Sequence, residues 1–384
     1  MKSRVSSCAQ SFCIVIASIF LIHAAAQASR AEDKFKMSGD FRLRGEFDTN
    51  RDGDRPDRFR ERIRFRAAAK YQVNPYLTVR SRLATGNPDD PNSPHQTLGT
   101  LFNRSPINID WAYVQFRYEH LWINGGKFPH PFKTPGVYSE LVWDADVQPE
   151  GIAAGYTLRV GDNLKILAIG AEYILREQGN DGDATLGAGQ VALNLAQKPI
   201  AVTVAGGIYK YFKLDAEDIG AAGLAGIVAG DNAGNAVIDT DADGNLEFES
   251  DFTILDTFIN LTYNAEISGK SRPIVLSAQF FTNLDANIDK DKGFAAGIRL
   301  GNTKSKGDFK LYYNFQLVEQ DSVFSAFVQD DFLAATNFQG HLFGVTYRLL
   351  DRTDLNLWGL LSKRDEPEGD ESQTRLRADL NLSF

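Results

Sequence analysis

Sixteen segments of about ten residues alternate between apolar and polar side chains, and this pattern constrains the fold more than any other feature. The clearest segment runs from 309 to 318, where apolar and aromatic side chains occupy every odd position. Side chains alternate across a strand with period two, and a tilted strand of about ten residues spans a membrane. The segments predicted as strands are 36–47, 58–71, 76–85, 108–119, 121–128, 150–159, 163–174, 187–197, 199–210, 251–265, 272–284, 292–302, 307–319, 338–349, 354–364 and 373–384.

The connections between these segments alternate in length. Links after odd segments are long and acidic, whereas links after even segments are tight turns such as 72–75 and 160–162. Outer-membrane barrels have long extracellular loops and short periplasmic turns, while a secreted β-sandwich, which also has many strands, gives no reason for this alternation. We therefore predict an all-β fold: a transmembrane antiparallel up-and-down β-barrel of about 16 strands. The segments 121–128 and 199–210 alternate poorly, which leaves a count two higher or lower open.

The two ends of the chain carry export and assembly signals. Residues 1–28 combine basic residues, a short apolar run and a small-residue cleavage site, so they are predicted to be a signal peptide. Cleavage is expected after Ala28, with Ala26 as the alternative. The strand that ends the chain presents Leu380, Leu382 and Phe384 on one face and resembles the signal that the barrel-assembly machinery recognises.

Composition excludes several other classes of protein. Both cysteines lie within residues 1–28, so the remaining chain, 29–384, is predicted to be one barrel without disulfides. None of it approaches 18 uninterrupted apolar residues, which excludes helical membrane spans. The formal charge is −9, and removal of Lys2 and Arg4 with the leader makes it −11. Such an acidic chain is a poor candidate for binding nucleic acid.

Several motifs resemble the putative porin family of Gram-negative outer membranes and, more distantly, the phosphate- and pyrophosphate-selective porins. The similarity is best over 36–160 and at the C-terminus. The matching motifs are GDFRLRGE at 39–46, RFRERIRFR at 58–66, NGGKF at 124–128, PF at 131–132, SELVWD at 139–144 and PEG at 149–151. This resemblance implies an outer-membrane channel surrounded by lipid and lipopolysaccharide. It also implies small hydrophilic solutes or anions as cargo and allows a homotrimer.

Arginines concentrate on one face of the first, second, third and last strands. Arginine on the lipid face at midplane costs about 2–4 kcal/mol, so these side chains are predicted to face the lumen and to favour anions. The predicted basic residues of the pore wall are Arg42, Arg44, Arg60, Arg62, Arg64, Arg66, Arg80, Arg82, Arg375 and Arg377. The alternative is that they only pair with lumenal acids such as Glu46 and Asp379, although these strands carry too few acids to neutralise them all.

The loop 129–149 contains three acidic residues, Glu140, Asp144 and Asp146. In general porins the loop at this position folds into the barrel and narrows it, so the resemblance implies a constriction in which these carboxylates face the arginines. The alternative is a surface loop packed on the rim. The loop 211–250 is predicted to be extracellular.

Two acidic turns have spacing typical of calcium-binding loops: Asp48 to Gly53, and a second with Asp239, Asp241 and Asp243. Neither has Glu at the twelfth position, which supplies the bidentate ligand, so plain acidic turns are favoured over weak calcium sites. No other cofactor is predicted.

The predicted function is passive diffusion of small hydrophilic solutes or ions through a porin. The alternative is a plugged barrel that serves as a receptor, adhesin or structural protein. The mature histidines, including His341, are isolated from any nucleophile or metal-ligand motif, so no enzymatic activity is expected.

Overall fold

A computed structural model describes residues 34–49, 56–177, 183–214, 234–238, 247–267, 269–364 and 372–384. These residues contain sixteen long strands. The strands are β1 (Phe35–Thr49), β2 (Arg58–Gln72), β3 (Leu77–Thr85), β4 (Ile107–Tyr118), β5 (Leu121–Lys127), β6 (Glu150–Val160), β7 (Leu164–Arg176), β8 (Ala184–Gln197), β9 (Ile200–Phe212), β10 (Thr253–Ile267), β11 (Lys270–Asn283), β12 (Lys292–Gly301), β13 (Phe309–Val318), β14 (Phe338–Leu350), β15 (Thr353–Arg364) and β16 (Ser372–Ser383). The predicted signal peptide, 1–28, lies outside the described residues.

Each strand pairs with the next in antiparallel fashion, and β1 also pairs with β16, so the sheet closes into a barrel. At this seam Glu46 lies opposite Arg377. Beyond the last ladder pair, the backbones of Gly39 and Phe384 exchange hydrogen bonds of 2.9 and 3.0 Å. The Phe384 ring stacks on Phe65 with 6.3 Å between ring centroids. The predicted sixteen-stranded barrel is confirmed.

The two faces of the barrel wall reverse the usual distribution of a globular protein. On β13 the apolar residues Phe309 and Leu311 are exposed on the outer face, whereas Asn314 and Gln316 are buried on the inner face. An apolar outside and a polar inside are expected where lipid surrounds the wall and water fills the lumen. No described segment forms a helix that is long and apolar enough to cross a membrane.

Two loops at the same end of the barrel contribute to a core inside the lumen. Loop 3 (128–149) joins β5 to β6, and loop 7 (319–337) joins β13 to β14. Buried aromatic side chains from loop 3, including Trp143, pack in one cluster with Phe324 of loop 7 and Tyr209 of the wall. The main apolar core therefore lies within the barrel and not between sheets.

Two glycines allow the chain to turn at the base of loop 3. Gly126 on β5 and Gly151 on β6 pair across the two strands that flank this loop. Both have positive φ, 122° and 149°, a region that favours glycine. A Cβ at Gly151 would lie 2.2 Å from the backbone oxygen of Glu172 on β7, so no larger residue fits.

Candidate functional site

Several arginines predicted to line the pore lie directly opposite one another on neighbouring strands, and each such transverse row is called a rung here. Arg42 lies opposite Arg64, and Arg44 lies opposite Arg62. Side chains paired across neighbouring strands lie close together, so unscreened arginines in these rungs would repel one another. Carboxylates interleave with them to offset that repulsion. The ion pairs in this sector are Arg44–Asp379 at 2.7 Å, Arg64–Asp40 at 2.9 Å, Arg66–Asp40 at 2.8 Å, Arg375–Asp48 at 2.6 Å and Arg377–Glu46 at 2.5 Å, together with Arg60–Glu46, Arg82–Asp110 and Arg377–Asp331.

Arg42 differs from most of its neighbours because no carboxylate of the described residues lies within ion-pair distance of it. Its Nε donates to Asn381 Oδ1 at 2.6 Å, and its guanidinium lies 3.4 Å from His95 Nε2. Arg80 likewise has no ion pair in the described part of the chain and lies beside the Tyr113 hydroxyl. The charge network is therefore extensive but incomplete, and Arg42 keeps an uncompensated charge.

Loop 3 crosses the lumen from one side of the wall to the other. The Gly136 amide donates to Asn260 Oδ1 on β10 at 2.7 Å. Ten residues later, the Asp146 carboxylate accepts a hydrogen bond of 3.0 Å from Arg66 on β2. The loop thus lies inside the barrel between these two strands, and one of its three predicted acids contacts the arginine wall directly.

The other two acids of loop 3, Glu140 and Asp144, are held between loops 3 and 7. The backbone N–H of Gln329 donates to the backbone oxygen of Glu140 at 3.0 Å, and the backbone N–H of Asp144 donates to the backbone oxygen of Phe327 at 2.8 Å. Burial raises the pKa of both carboxyls well above the usual range, and nearby carboxylates raise it further. Each of these carboxyls therefore keeps its proton to a higher pH than an exposed carboxyl does.

Loop 7 contributes acids that the sequence analysis missed. Asp331 pairs with Arg377 and accepts a hydrogen bond of 3.0 Å from the Tyr138 hydroxyl. Burial acts to raise the pKa of Asp331, but Arg377 and Arg44 outweigh it and hold that pKa below its usual value. A signal was present: three phenylalanines between 324 and 332 are unusual for a solvated loop and indicate burial.

Loop 2 (86–106) also reaches the lumen, which was not predicted. The side-chain amide of Asn92 donates to the backbone oxygen of Val328 in loop 7 at 2.7 Å, and the Arg62 guanidinium donates to Ser93 Oγ at 3.0 Å. Burial lowers the pKa of His95 well below its usual value, and Arg44 and Arg42 lower it further. His95 is therefore a neutral neighbour of Arg42 at physiological pH.

Two of the cavities between these loops and the wall are lined by several of the arginines. The inner chamber has a volume of about 550 Å³, and the outer vestibule has a volume of about 390 Å³. Arg42, Arg44, Arg64 and Arg66 line the chamber, whereas Arg60, Arg62 and Arg375 line the vestibule. Asp330 lines both cavities and so marks the boundary between them. Arg80, Arg82 and Arg377 line neither.

The residues considered for calcium give no metal site in the described part of the chain. Asp239, Asp241 and Asp243 lie outside the described residues, as do most positions of the first acidic turn. Asp48, which begins that first turn, pairs with Arg375 instead. No group of three or more candidate ligands is found among the described residues.

These features define a class of protein: a transmembrane β-barrel whose lumen holds inward-folded loops and charged, water-accessible cavities. Solved structures of bacterial barrels share the fold at low sequence identity. Pseudomonas putida OprB at high pH matches at 11% identity and a TM-score of 0.57, covering 91% of this chain and 94% of that one. A loop L8 deletion mutant of OmpT, an outer membrane protein of Vibrio cholerae, matches at 11% identity and a TM-score of 0.52, covering 92% and 100%. A double mutant of the Rh. blastica porin matches at 10% identity and a TM-score of 0.50, covering 91% and 100%.

The family described as Putative porin matches residues 47–220 and 235–368, which together are most of the chain. The chain belongs to this family and is a porin-like channel of the bacterial outer membrane. Membership in the family describes a channel and not an enzyme. No curated protein matches the chain in sequence.

Proposed function

We propose that the channel passes small hydrophilic solutes and ions by passive diffusion through the outer vestibule and the inner chamber, with a modest preference for anions. The observation that carries this proposal is Arg42, a chamber-lining guanidinium without a carboxylate partner among the described residues. In this reading loop 3 is the constriction loop, and the lumenal arginines act directly on a passing ion.

The balance of charge around the chamber supports this preference. Six basic and six acidic side chains line the chamber, so their formal charges cancel, and five of the six acids come from loops 3 and 7. Burial raises the pKa of Glu140 and Asp144, however, so these two acids contribute less negative charge than their number suggests. Acids in solvated surface loops act weakly at a distance, because the Debye length is about 10 Å at 0.1 M salt.

Reversal potentials in planar bilayers test the proposal. Arg42→Gln removes the uncompensated charge and is expected to shift the reversal potential in a KCl gradient toward the cation value. Arg80→Gln is the matched control, since Arg80 lines neither cavity. Equal reversal potentials for wild type and Arg42→Gln would mean that Arg42 does not control ion preference.

A plugged barrel that acts as a surface receptor, adhesin or structural protein is the second candidate, and loop 7 favours it. Val328 and Gln329 are almost fully buried, and Arg375 donates to the backbone oxygens of Asp330 and Asp331 at 2.8 and 2.7 Å. Replacement of 322–335 by a short Gly-Ser linker separates the two functions. A silent wild type that conducts only after replacement would support the plug, whereas a conducting wild type supports the channel.

We further propose that the C-terminal strand is recognised by the barrel-assembly machinery in a membrane that contains lipopolysaccharide, where the family resemblance allows a homotrimer. Phe384 also packs on Phe65 at the seam, so its loss could act on folding itself. Refolding of the Phe384 deletion into detergent without the machinery distinguishes these roles. We expect normal heat-modifiable barrel in detergent and strongly reduced barrel in cells; equal loss in both would assign Phe384 to stability alone.

A further inference from the structure

We propose that the inner chamber is a binding site for small dicarboxylates, which bridge two separate sets of cations on its wall. This inference rests on the proposed diffusion pathway and adds the chemical class of a preferred solute. The two sets are Arg42 on β1, and Arg299 with Lys310 on β12 and β13. All three side chains line the same cavity of about 550 Å³.

The first set is the guanidinium of Arg42. Its Nε already donates to Asn381 at 2.6 Å, which fixes the side chain while leaving its charge without an acid. The neighbouring Arg44 and Arg64 are each held by a carboxylate, Asp379 at 2.7 Å and Asp40 at 2.9 Å. Arg42 is therefore the arginine of this rung that can accept a new anionic partner without breaking an ion pair.

The second set also lacks ion pairs in the described part of the chain, although Asp354 lies near enough to Lys310 to interact with it electrostatically. Neither Arg299 nor Lys310 forms an ion pair within the described residues. The Lys310 ammonium lies 5.2 Å from the centre of the Tyr312 ring, and the Tyr312 hydroxyl lies 3.0 Å from the Asn356 side-chain amide. Cationic and neutral polar groups thus occur together here, as a carboxylate site requires.

The spacing between the two sets selects for two anionic groups on one molecule. Lys310 on β13 is separated from Arg42 on β1 by four strand steps around the wall, which is roughly 19 Å at the usual spacing of neighbouring strands. Both side chains extend inward and narrow that distance, and the inference requires that the remaining gap exceeds the span of a compact single-centre anion. Two carboxylates joined by a short carbon chain can contact both.

Trp358 lies between the two sets, and the guanidinium groups of Arg44 and Arg377 lie 5.5 and 4.8 Å from the centre of its ring. It is on β15, and its ring also lines the chamber. Its indole nitrogen donates to Asp379 at 3.1 Å, which fixes the ring. Six acids also line the chamber. Asp146, Asp331 and Asp379 form ion pairs with arginines, whereas burial raises the pKa of Glu140, Asp144 and Asp330. A bound dianion would therefore meet carboxyls that are either paired or protonated more readily than exposed ones, together with cations that lack an ion pair among the described residues.

Block of the chloride current in planar bilayers tests this site. We expect dicarboxylates from malonate to adipate to block in a saturable way, with one optimal chain length, whereas butyrate and inorganic phosphate block weakly. Lys310→Gln and Arg299→Gln should each raise the half-blocking concentration of the best dicarboxylate about tenfold, as expected for loss of a charge-assisted contact. Lys36→Gln removes a lumenal charge outside the chamber lining and should leave block unchanged.

Two results would overturn the inference: block that does not depend on chain length, or phosphate that blocks as well as the best dicarboxylate. Calorimetric titration of the detergent-purified barrel with glutarate gives the same test if current cannot be measured, and absence of saturable heat would also overturn it. The reversal potential in KCl reports separately on the proposed function. Anion preference without dicarboxylate block would reject this site and leave the proposed channel intact.

Discussion

Two sectors of the inner wall face the same lumen with opposite chemistry. The charged sector, formed by β16, β1 and β2, carries interleaved arginines and carboxylates and borders the two cavities. The aromatic sector, formed by β5 to β9, presents Tyr173 and Tyr209 to loop 3. There Trp143 stacks on His130 at 4.5 Å between ring centroids and lies 6.3 Å from Tyr209.

The difference explains where the loops attach and where space remains. Aromatic rings gain free energy by leaving water, so loop 3 packs firmly where the wall supplies them. Most arginines and carboxylates of the charged sector are buried in ion pairs, which offset their lost hydration, and this sector borders the two cavities. One sector anchors the loop, and the other borders the two cavities that we propose as the passage.

The largest expected effect comes from Arg377 in the charged sector. Arg377→Ala removes the partner that Glu46 and Asp331 share in a buried site; Glu46 keeps Arg60, whereas Asp331 keeps no ion pair among the described residues. Removing one member of a buried ion pair typically costs about 3–5 kcal/mol, so the free energy of unfolding in urea should fall by that order. Arg80→Ala, which breaks no ion pair of the described residues, is the control; equal loss in both variants would show that the network does not stabilise this sector.

A somewhat smaller effect is expected for Trp143 in the aromatic sector. Trp143→Ala removes the stack on His130 and should cost about 3 kcal/mol of local stability. Since the wall does not depend on this ring, the barrel should remain heat-modifiable while loop 3 becomes sensitive to protease and the current becomes noisier. Phe102→Ala changes a fully exposed aromatic residue and serves as control. Unchanged protection of loop 3 would show that the aromatic sector is not its anchor.

The smallest expected effect is on selectivity, through the acids between loops 3 and 7. Because the pKa values of Glu140 and Asp144 are raised, these groups are neutral at lower pH and gain negative charge as the pH rises through their pKa. Anion preference should therefore fall with rising pH. The double change Glu140→Gln and Asp144→Asn should flatten that dependence in reversal-potential measurements. A wild-type profile without slope, or one that slopes the other way, would contradict the assignment.

The sequence predicted the charged sector better than the aromatic one, for a physical reason. Period-two patterning separates lipid-facing from lumen-facing residues only when the two faces differ in polarity. On β2 they differ, since Arg64 faces inward and Phe65 outward. On β9 they do not, since Ile208 faces lipid and Tyr209 faces a packed loop, which is why this strand alternates poorly.

Loop 7 was missed for a different reason, because its role depends on contacts between residues far apart in sequence. Asp331 matters only because the barrel places it beside Arg377, which is 46 residues away. The same holds for the pair of Arg44 with Asp379, separated by 335 residues. The strand pattern indicated that the arginines outnumber the acids on these strands, but not which arginines would remain without an ion pair.

The ion pairs at the junction of β1 and β16 also determine how the barrel can close. In the observed register Arg44 lies opposite Asp379, and Glu46 lies opposite Arg377. A slip by two residues would keep every side chain on its correct face, so the apolar pattern alone would tolerate it. One direction of slip places Arg44 opposite Arg377, and the other places Glu46 opposite Asp379. Like charges directly opposite are destabilising. The charged residues at the seam therefore favour the observed register over a barrel closed with a shift of two residues.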